Sequence, residues 1–308
     1  MSRKAIFFNR FLSLTLAAGL LVASFLSTAI GKDLQEVRES GVLRHLGVPY
    51  ANFVTGMGDG LDVELVQLFA RYLGVRYEYV ETTWENVIAD LTGKSVKPTG
   101  DDIKIIGEAP VRGDIIANGL TVLPWREKIV AFSTPTFPTQ VWLVARFDSD
   151  LKPIEPSGST EKDIARVMAL LQGRNVLGKG GTCLDPSLYS LTQAGARVIL
   201  FNGSLNDLAP AVIKGDAEAT LLDVPDALIA LAKWPGKVKV IGPVSPAQDM
   251  ACAFALTSAE LREAFEMFFK ECMENGTYLQ LVNKYYPTVF SYYPGFLPQG
   301  LSRSAIHR

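Results

Sequence analysis

The 308-residue chain holds only two histidines, His45 and His307, and three cysteines, Cys183, Cys252 and Cys272. One histidine lies in a strand-like run and the other is the penultimate residue. That leaves almost nothing from which to build a His-based triad or a zinc site. No CxxC spacing occurs, and an odd number of cysteines leaves at least one unpaired even if export permits a disulfide. Cys252 and Cys272 are a candidate pair, but nothing in the sequence requires it. The formal net charge of −2 gives no electrostatic footprint for nucleic acid. The glycine-rich run Gly178-Lys-Gly-Gly-Thr182 lacks the order of a P-loop, so nucleotide binding is a poor reading. Long apolar runs are also scarce. Phe11–Leu26 spans 16 residues, short of the ~20 a membrane span needs. It follows Arg3, Lys4 and Arg10 and precedes Ser27-Thr28-Ala29. This pattern reads as a secretory signal peptide over residues 1–29, cleaved after Ala29 with Gly31 as a rival site. No cysteine lies near either site, which argues against a lipidated new N-terminus.

What remains alternates strands and helices, the pattern of an α/β fold with mainly parallel sheets. Leu34, Val37 and Val42 mark a short amphipathic lead-in, and Val42–Val48 a first strand. Leu61–Tyr72 is helical by period and ends at Gly74. Val75–Val80 alternates as a strand does. Thr82 and Glu85 have capping-box spacing for a helix through Leu91. Ser95–Arg112 reads as an inserted loop with a short strand at Ile103–Ile106. Gln140–Val144 is a strand, and Asp148–Ser159, rich in Pro, Ser and Asp, reads as a crossing between domains. Beyond it a second series begins, with a glycine-rich turn before a helix over Asp185–Gln193. A turn of that kind lets backbone N–H groups approach an anion. Ala219–Leu222 ends in Asp223, and Pro225 opens the next helix. Thr257 and Glu260 form a second capping-box pair.

The most informative stretch is Gly119–Pro135, GLTVLPWREKIVAFSTP. A strand end, the Thr121 hydroxyl, a helix start at Pro124 and the planar fork of Arg126 together make a carboxylate clamp. The plain alternative is a surface arginine in a short connection. Within it, TVLPWREKIVAFSTP resembles the T-x-x-P/E-x-R-x-x-x-x-x-F-S-x-P signature of bacterial family 3 extracellular solute-binding proteins, the polar-amino-acid receptors of ABC importers. GDGLDVELVQLFARYLGV, GDAEATLLD and NGTYLQLVNKYY are similar to further family segments.

The resemblance implies a two-lobed periplasmic-binding-protein fold (type II) with hinge strands. Lobe one would span 33–144, with the insertion at about 95–112, and return over 249–290. Lobe two would span 145–248, and 291–308 would be a tail. Arg126 and Thr121, beside Gly119, would hold a ligand carboxylate from lobe one, and Gly181 and Thr182 from lobe two. Asp223 would receive the ammonium, and Tyr50, Phe53 and Trp84 would pack the ligand's side chain. The residues themselves leave alternatives open. Asp223 also suits a helix N-cap, Tyr50 and Phe53 also suit the rim or core, and Cys183 also suits a small buried apolar residue.

The implied protein is a periplasmic monomer that uses no cofactor and no metal and is not an enzyme. It would serve a membrane permease of an ABC transporter and bind no nucleic acid. No second acid or base accompanies the aromatic positions, so an aromatic or aliphatic amino acid is favoured as ligand. The rival reading is a cyclohexadienyl (prephenate/arogenate) dehydratase, a type that resembles the same scaffold and carries G-G-T-N-E. Here the matching stretch is Gly180-Gly-Thr-Cys-Leu184, with an apolar Leu184 where the acid would stand and Asp185 one place on. A third reading is a ligand-sensing or cell-wall-lyase input domain, normally joined to a further domain.

Overall fold

The computed structural model describes residues 31–293 and Phe296. The leader expected over 1–29, His307 and most of the tail expected over 291–308 lie outside the described residues.

Asp33 and Glu36 form a reciprocal capping box on the helix Leu34–Ser40, which Gly41 ends in the left-handed region. Asp33 Oδ1 also accepts from the Leu261 N–H at 2.8 Å, so one carboxylate ties the start of the chain to the late helix Ala259–Glu274. That contact replaces the capping box expected from Thr257 and Glu260: Ser258 holds the N-cap position and its hydroxyl bonds the Lys32 carbonyl instead.

Strand β1 (Val42–Gly47) pairs in parallel with β2 (Arg76–Glu81). The helix Leu61–Leu73 joins them, burying Leu61, Leu65, Val66 and Phe69. The Thr82–Glu85 capping box does not form. The next helix runs Val87–Thr92, and the Thr82 hydroxyl donates to Asp90 at 2.6 Å. Burial turns this Thr inward, toward a carboxylate that Arg112 also holds at 2.7 Å.

The inserted stretch is more regular than a loop. β3 (Lys94–Thr99) and β4 (Asp102–Glu108) form an antiparallel hairpin of their own, with Ile105 and Ile106 more than half exposed. Then come β5 (Ile115–Ile116), β6 (Val130–Phe132), β7 (Phe137–Thr139) and β8 (Val141–Arg146). β9 (Asn175–Gly178), β10 (Arg197–Leu200), β11 (Ala219–Asp223) and β12 (Val238–Pro243) follow, and β13 (Gln248–Met250) and β14 (Ala253–Ala255) close the series.

Two five-stranded sheets result, ordered β2-β1-β5-β14-β6 and β10-β9-β11-β8-β12, each in its own lobe. Parallel pairing is confined to three strands of each sheet: β2-β1-β5 and β10-β9-β11. One strand of each sheet runs the other way, because the chain has just crossed between lobes: β14 is antiparallel to β5 and β6, and β8 to β11 and β12.

The crossing itself is the antiparallel pair β7–β13, with Met250 opposite Phe137. It lies earlier than the boundary expected at 144: β8 sits inside the second sheet. The stretch expected as a crossing, Asp148–Ser159, lies wholly within lobe two, where Ile154 donates to Ile241. Thr121 bridges Met250, so the clamp loop is laced to the hinge. All three cysteines are free and buried, so Cys252 and Cys272 do not pair. No helix of the described residues is long and apolar enough to cross a membrane.

Candidate functional site

Arg126 is placed by a short chain of local causes. After β5 the backbone turns through Asn118 and Gly119, the latter at φ +66°. The Gly119 N–H donates to Asp62 Oδ2 at 2.7 Å. A Cβ at this position would stand 2.5 Å from the Phe53 ring, so both the backbone sign and the space demand glycine. Leu123 is extended and Pro124 opens a one-turn helix, Pro124–Glu127. This turn carries the Arg126 side chain into the interior, where it is 2% exposed.

There Nη1 donates to the Thr121 carbonyl at 2.7 Å, and the guanidinium lies 5.2 Å from the Trp125 ring centroid. Nε has no hydrogen-bond partner, nor does the buried Thr121 hydroxyl. Among the described residues no carboxylate pairs with Arg126. The groups that face it from lobe two are Cys183 and Tyr189. Burial lowers the guanidinium's pKa to about 10, which leaves it charged at neutral pH.

Asp223 comes from the other lobe, at the end of β11. It holds the N-cap position of the helix Val224–Lys233 but makes no capping hydrogen bond with its side chain. Its carboxylate is fully buried, accepting a hydrogen bond from the Tyr50 hydroxyl on Oδ1. Oδ2 lies 3.6 Å from the Cys183 thiol. Burial pushes the carboxyl up to about 6, against the lowering effect of the Tyr50 bond. Asp226 stands close by, also buried, with Oδ2 unpartnered. Its carboxyl is raised well above the ordinary range by burial and then by the Asp223 charge.

Tyr50 reaches Asp223 from lobe one because its own turn is fastened to lobe two. Ala51 has φ +47°, and its N–H donates to Asn206 Oδ1 at 2.9 Å. The Asn206 amide in turn contacts the Pro49 carbonyl at 3.5 Å. The Tyr50 ring stacks on Phe53 at 6.2 Å and meets the edge of half-buried Trp84 at 5.5 Å.

The structure thus brings Arg126, Thr121, Tyr50, Asp223 and Cys183 together across the two lobes. It arranges the other expected residues differently. Phe53 is buried behind Tyr50, packed on Phe137 and Tyr286 and against Gly119. Gly181 is exposed, and its N–H donates to Asp185 Oδ2 at 3.0 Å. The Thr182 hydroxyl donates to the Lys179 carbonyl at 2.8 Å and accepts from Leu184. The anion-binding turn is therefore already closed by the chain's own Asp185, which caps a 3-10 turn, Pro186–Tyr189, where a longer helix was expected.

Five residues outside the expected set carry polar groups near these or on the hinge: Tyr189, Asp226, Asn118, Thr139 and Gln248. The last four carry buried polar atoms without partners. Their only advance signal was position: Asn118 adjoins Gly119, and Thr139 and Gln248 pair across the hinge. His45, by contrast, is a satisfied core histidine. Nε2 faces the Ala117 carbonyl at 2.6 Å and Nδ1 the Tyr77 hydroxyl at 2.8 Å, and burial lowers its pKa to about 4. No group of three or more metal-ligating side chains occurs among the described residues.

The sequence pattern of the bacterial extracellular solute-binding proteins, family 3, matches residues 110–288, more than half of the chain. The chain belongs to this family. It is 27% identical over 233 residues to the membrane-bound lytic murein transglycosylase F of Desulfosudis oleivorans, covering 75% of this chain but 44% of that protein. It is 25% identical over 281 residues to the L-cystine-binding protein TcyJ of Escherichia coli, covering 89% of this chain and 92% of the relative. Among solved structures, a P235GK mutant of ArgBP from T. maritima superposes with a TM-score of 0.64 at 25% identity. That match covers 82% of this chain and 99% of the other. The two-lobed arrangement is thus shared with these amino-acid-binding relatives.

Proposed function

We propose that this family 3 protein captures a small carboxylate solute, an α-amino acid in the first instance, between its lobes on the outer side of the cytoplasmic membrane. It hands the solute, unchanged, to the permease of an ABC importer. The observation that carries this reading is Arg126: a buried cation with an unpartnered Nε and, among the described residues, no carboxylate of its own. Removing a guanidinium from water is costly unless a charged partner repays it, and its fork matches a carboxylate with two parallel bonds. The unpartnered Thr121 hydroxyl adjoins it on the same loop. The names of two relatives, an L-cystine-binding protein and ArgBP, support an amino acid as the solute.

The dehydratase reading gains nothing from the geometry. Leu184 is fully buried, and the carboxylate of Asp185 is tied to Gly181 and Ser187.

Thermal unfolding against a panel of amino acids, repeated with Arg126→Ala, tests the proposal. A ligand at 100 times its dissociation constant adds about 2.7 kcal/mol. A shift with one class of amino acid that Arg126→Ala abolishes is the expected result. No shift with any carboxylate would overturn the proposal.

A further inference from the structure

The reading above leaves one contact without a role. Tyr50 and Asp223 are 173 positions apart, lie in different lobes, and are both fully buried, yet they share a hydrogen bond. Nothing about Tyr50 suggests an accidental contact. Phe53 and Trp84 fix its ring from two sides, and Asn206 fastens its turn to the lobe that carries Asp223. Cys183 occupies the other carboxylate oxygen at 3.6 Å. Both oxygens of Asp223 therefore already face donors supplied by the protein. At the other pole, Arg126 Nε has no partner.

We infer that Tyr50 is a specificity-determining residue of this cleft: its hydroxyl occupies the amine-accepting face of Asp223, so a ligand's α-ammonium competes with it while a ligand's carboxylate meets no such competitor at Arg126. The inference rests on the carboxylate-capture reading and deepens it. An α-amino acid must displace a hydrogen bond to a charged group before it makes its own. A carboxylate of the same side chain without the amine leaves Tyr50 in place and gives up nothing. The protein therefore discriminates between the two far less than its free Asp223 would allow. Asp226 is the rival acceptor, since its Oδ2 is buried and unpartnered beside Asp223. Were an ammonium to bind there, Tyr50 would be irrelevant to the choice.

Isothermal titration of the mature chain with matched pairs decides the matter: L-phenylalanine with hydrocinnamate, L-leucine with isocaproate, L-alanine with propionate. For a pair that binds, Tyr50→Phe keeps the ring against Phe53 and Trp84 and removes only the hydroxyl. It is expected to raise the affinity for the amino acid relative to its amine-free partner by about tenfold, the equivalent of one hydrogen bond to a charged group. Asp223→Asn is expected to erase the remaining preference, and Asp226→Asn to leave it unmoved. If both members of a pair bind with Arg126 dependence and Tyr50→Phe does not change their ratio, the inference falls and the capture reading stands. A preference that follows Asp226 instead has the same meaning. If neither member of any pair binds the wild type or Tyr50→Phe, the capture reading fails and the inference fails with it.

Discussion

The two charged poles of the cleft are treated in opposite ways by the protein around them. Arg126 is buried with one backbone carbonyl and an aromatic face for company, and its Nε has no partner. Asp223 is buried with a phenol on one oxygen and a thiol near the other. Both are desolvated, and burial shifts both toward neutrality: the guanidinium to about 10, the carboxyl to about 6. Only Asp223 is compensated from within. On the proposed reading, a fold that satisfies its buried anion and leaves its buried cation short receives an anion first. The cationic end of a ligand is a second matter, decided in competition with the protein's own groups.

Breaking the uncompensated pole should have the largest effect. Arg126→Ala removes the only charge-assisted donors in the carboxylate clamp, and losing one partner of a buried charge pair costs about 2–5 kcal/mol. Binding of any carboxylate solute should fall at least about 30-fold by isothermal titration. The free protein should not share this loss, because Arg126 has no anion to leave behind. In urea its stability should hold or rise, and a large drop would show that Arg126 has a structural partner.

The compensated pole should reveal itself through pH. A carboxyl whose pKa is higher folded than unfolded binds more protons in the folded state, so stability falls as pH rises between the two values. Asp223 moves from 3.8 to about 6 and Asp62 from 3.8 to about 7, both by burial. Each of these carboxyls contributes stability that is lost as pH rises through its folded value, while buried His45, lowered to about 4, contributes in the opposite sense between pH 4 and pH 6.5. Asp223→Asn should remove that residue's share, gaining up to about 3 kcal/mol relative to the wild type between pH 4 and pH 6. Urea midpoints at several pH values check this. A difference between the variant and wild-type curves that does not grow from pH 4 to pH 6 would contradict it.

Next in size comes the loop that joins the two poles through Phe53. Gly119→Ala puts a methyl 2.5 Å from the Phe53 ring, on a backbone at φ +66°. Overpacking of this kind costs about 1–3 kcal/mol, and Phe53 in turn supports Tyr50. The variant should lose stability and, with it, the Tyr50 contact. A variant as stable as the wild type would mean that Phe53 can move away freely.

Much of this arrangement was legible from the chain alone because its causes are local. Gly74 ends a helix, Pro124 starts one, Arg126 follows at a fixed offset, and Asp223 stands at the end of an apolar strand. What could not be read depends on direction or on distance along the chain. Phe137–Arg146 is an extended, mostly apolar run, so the crossing from β7 to β8 at Gln140 leaves no mark in the period. The glycine-rich turn announced an anion, but spacing could not say that Asp185 would fold back and supply it. Thr82 had a cap's spacing, but its hydroxyl was drawn inward by Asp90. Tyr50 was marked as an aromatic for the ligand. That its hydroxyl would meet Asp223 is a property of the closed pair of lobes, outside any local pattern.

The smallest effect belongs to the rim, where the same two lobes also touch. Lys179 of lobe two lies 3.6 Å from Glu85 of lobe one, and by sign and position this looks like another cross-cleft latch. Its environment says otherwise. The Lys179 side chain is 13% exposed but the Glu85 side chain is 66% exposed, so water reaches the anionic end and screens the pair, and ion pairs open to water contribute about 0–1 kcal/mol. Lys179→Ala should shift the thermal midpoint by no more than a degree or two, corresponding to roughly 0.5 kcal/mol, and that shift should vanish in high salt. Affinity for a carboxylate solute should change by less than about twofold. If the rim pair instead proved as important as the buried Tyr50–Asp223 contact, lobe closure would be governed by surface charge. The contrast between a satisfied and an unsatisfied buried pole would then lose its claim to set what the cleft selects.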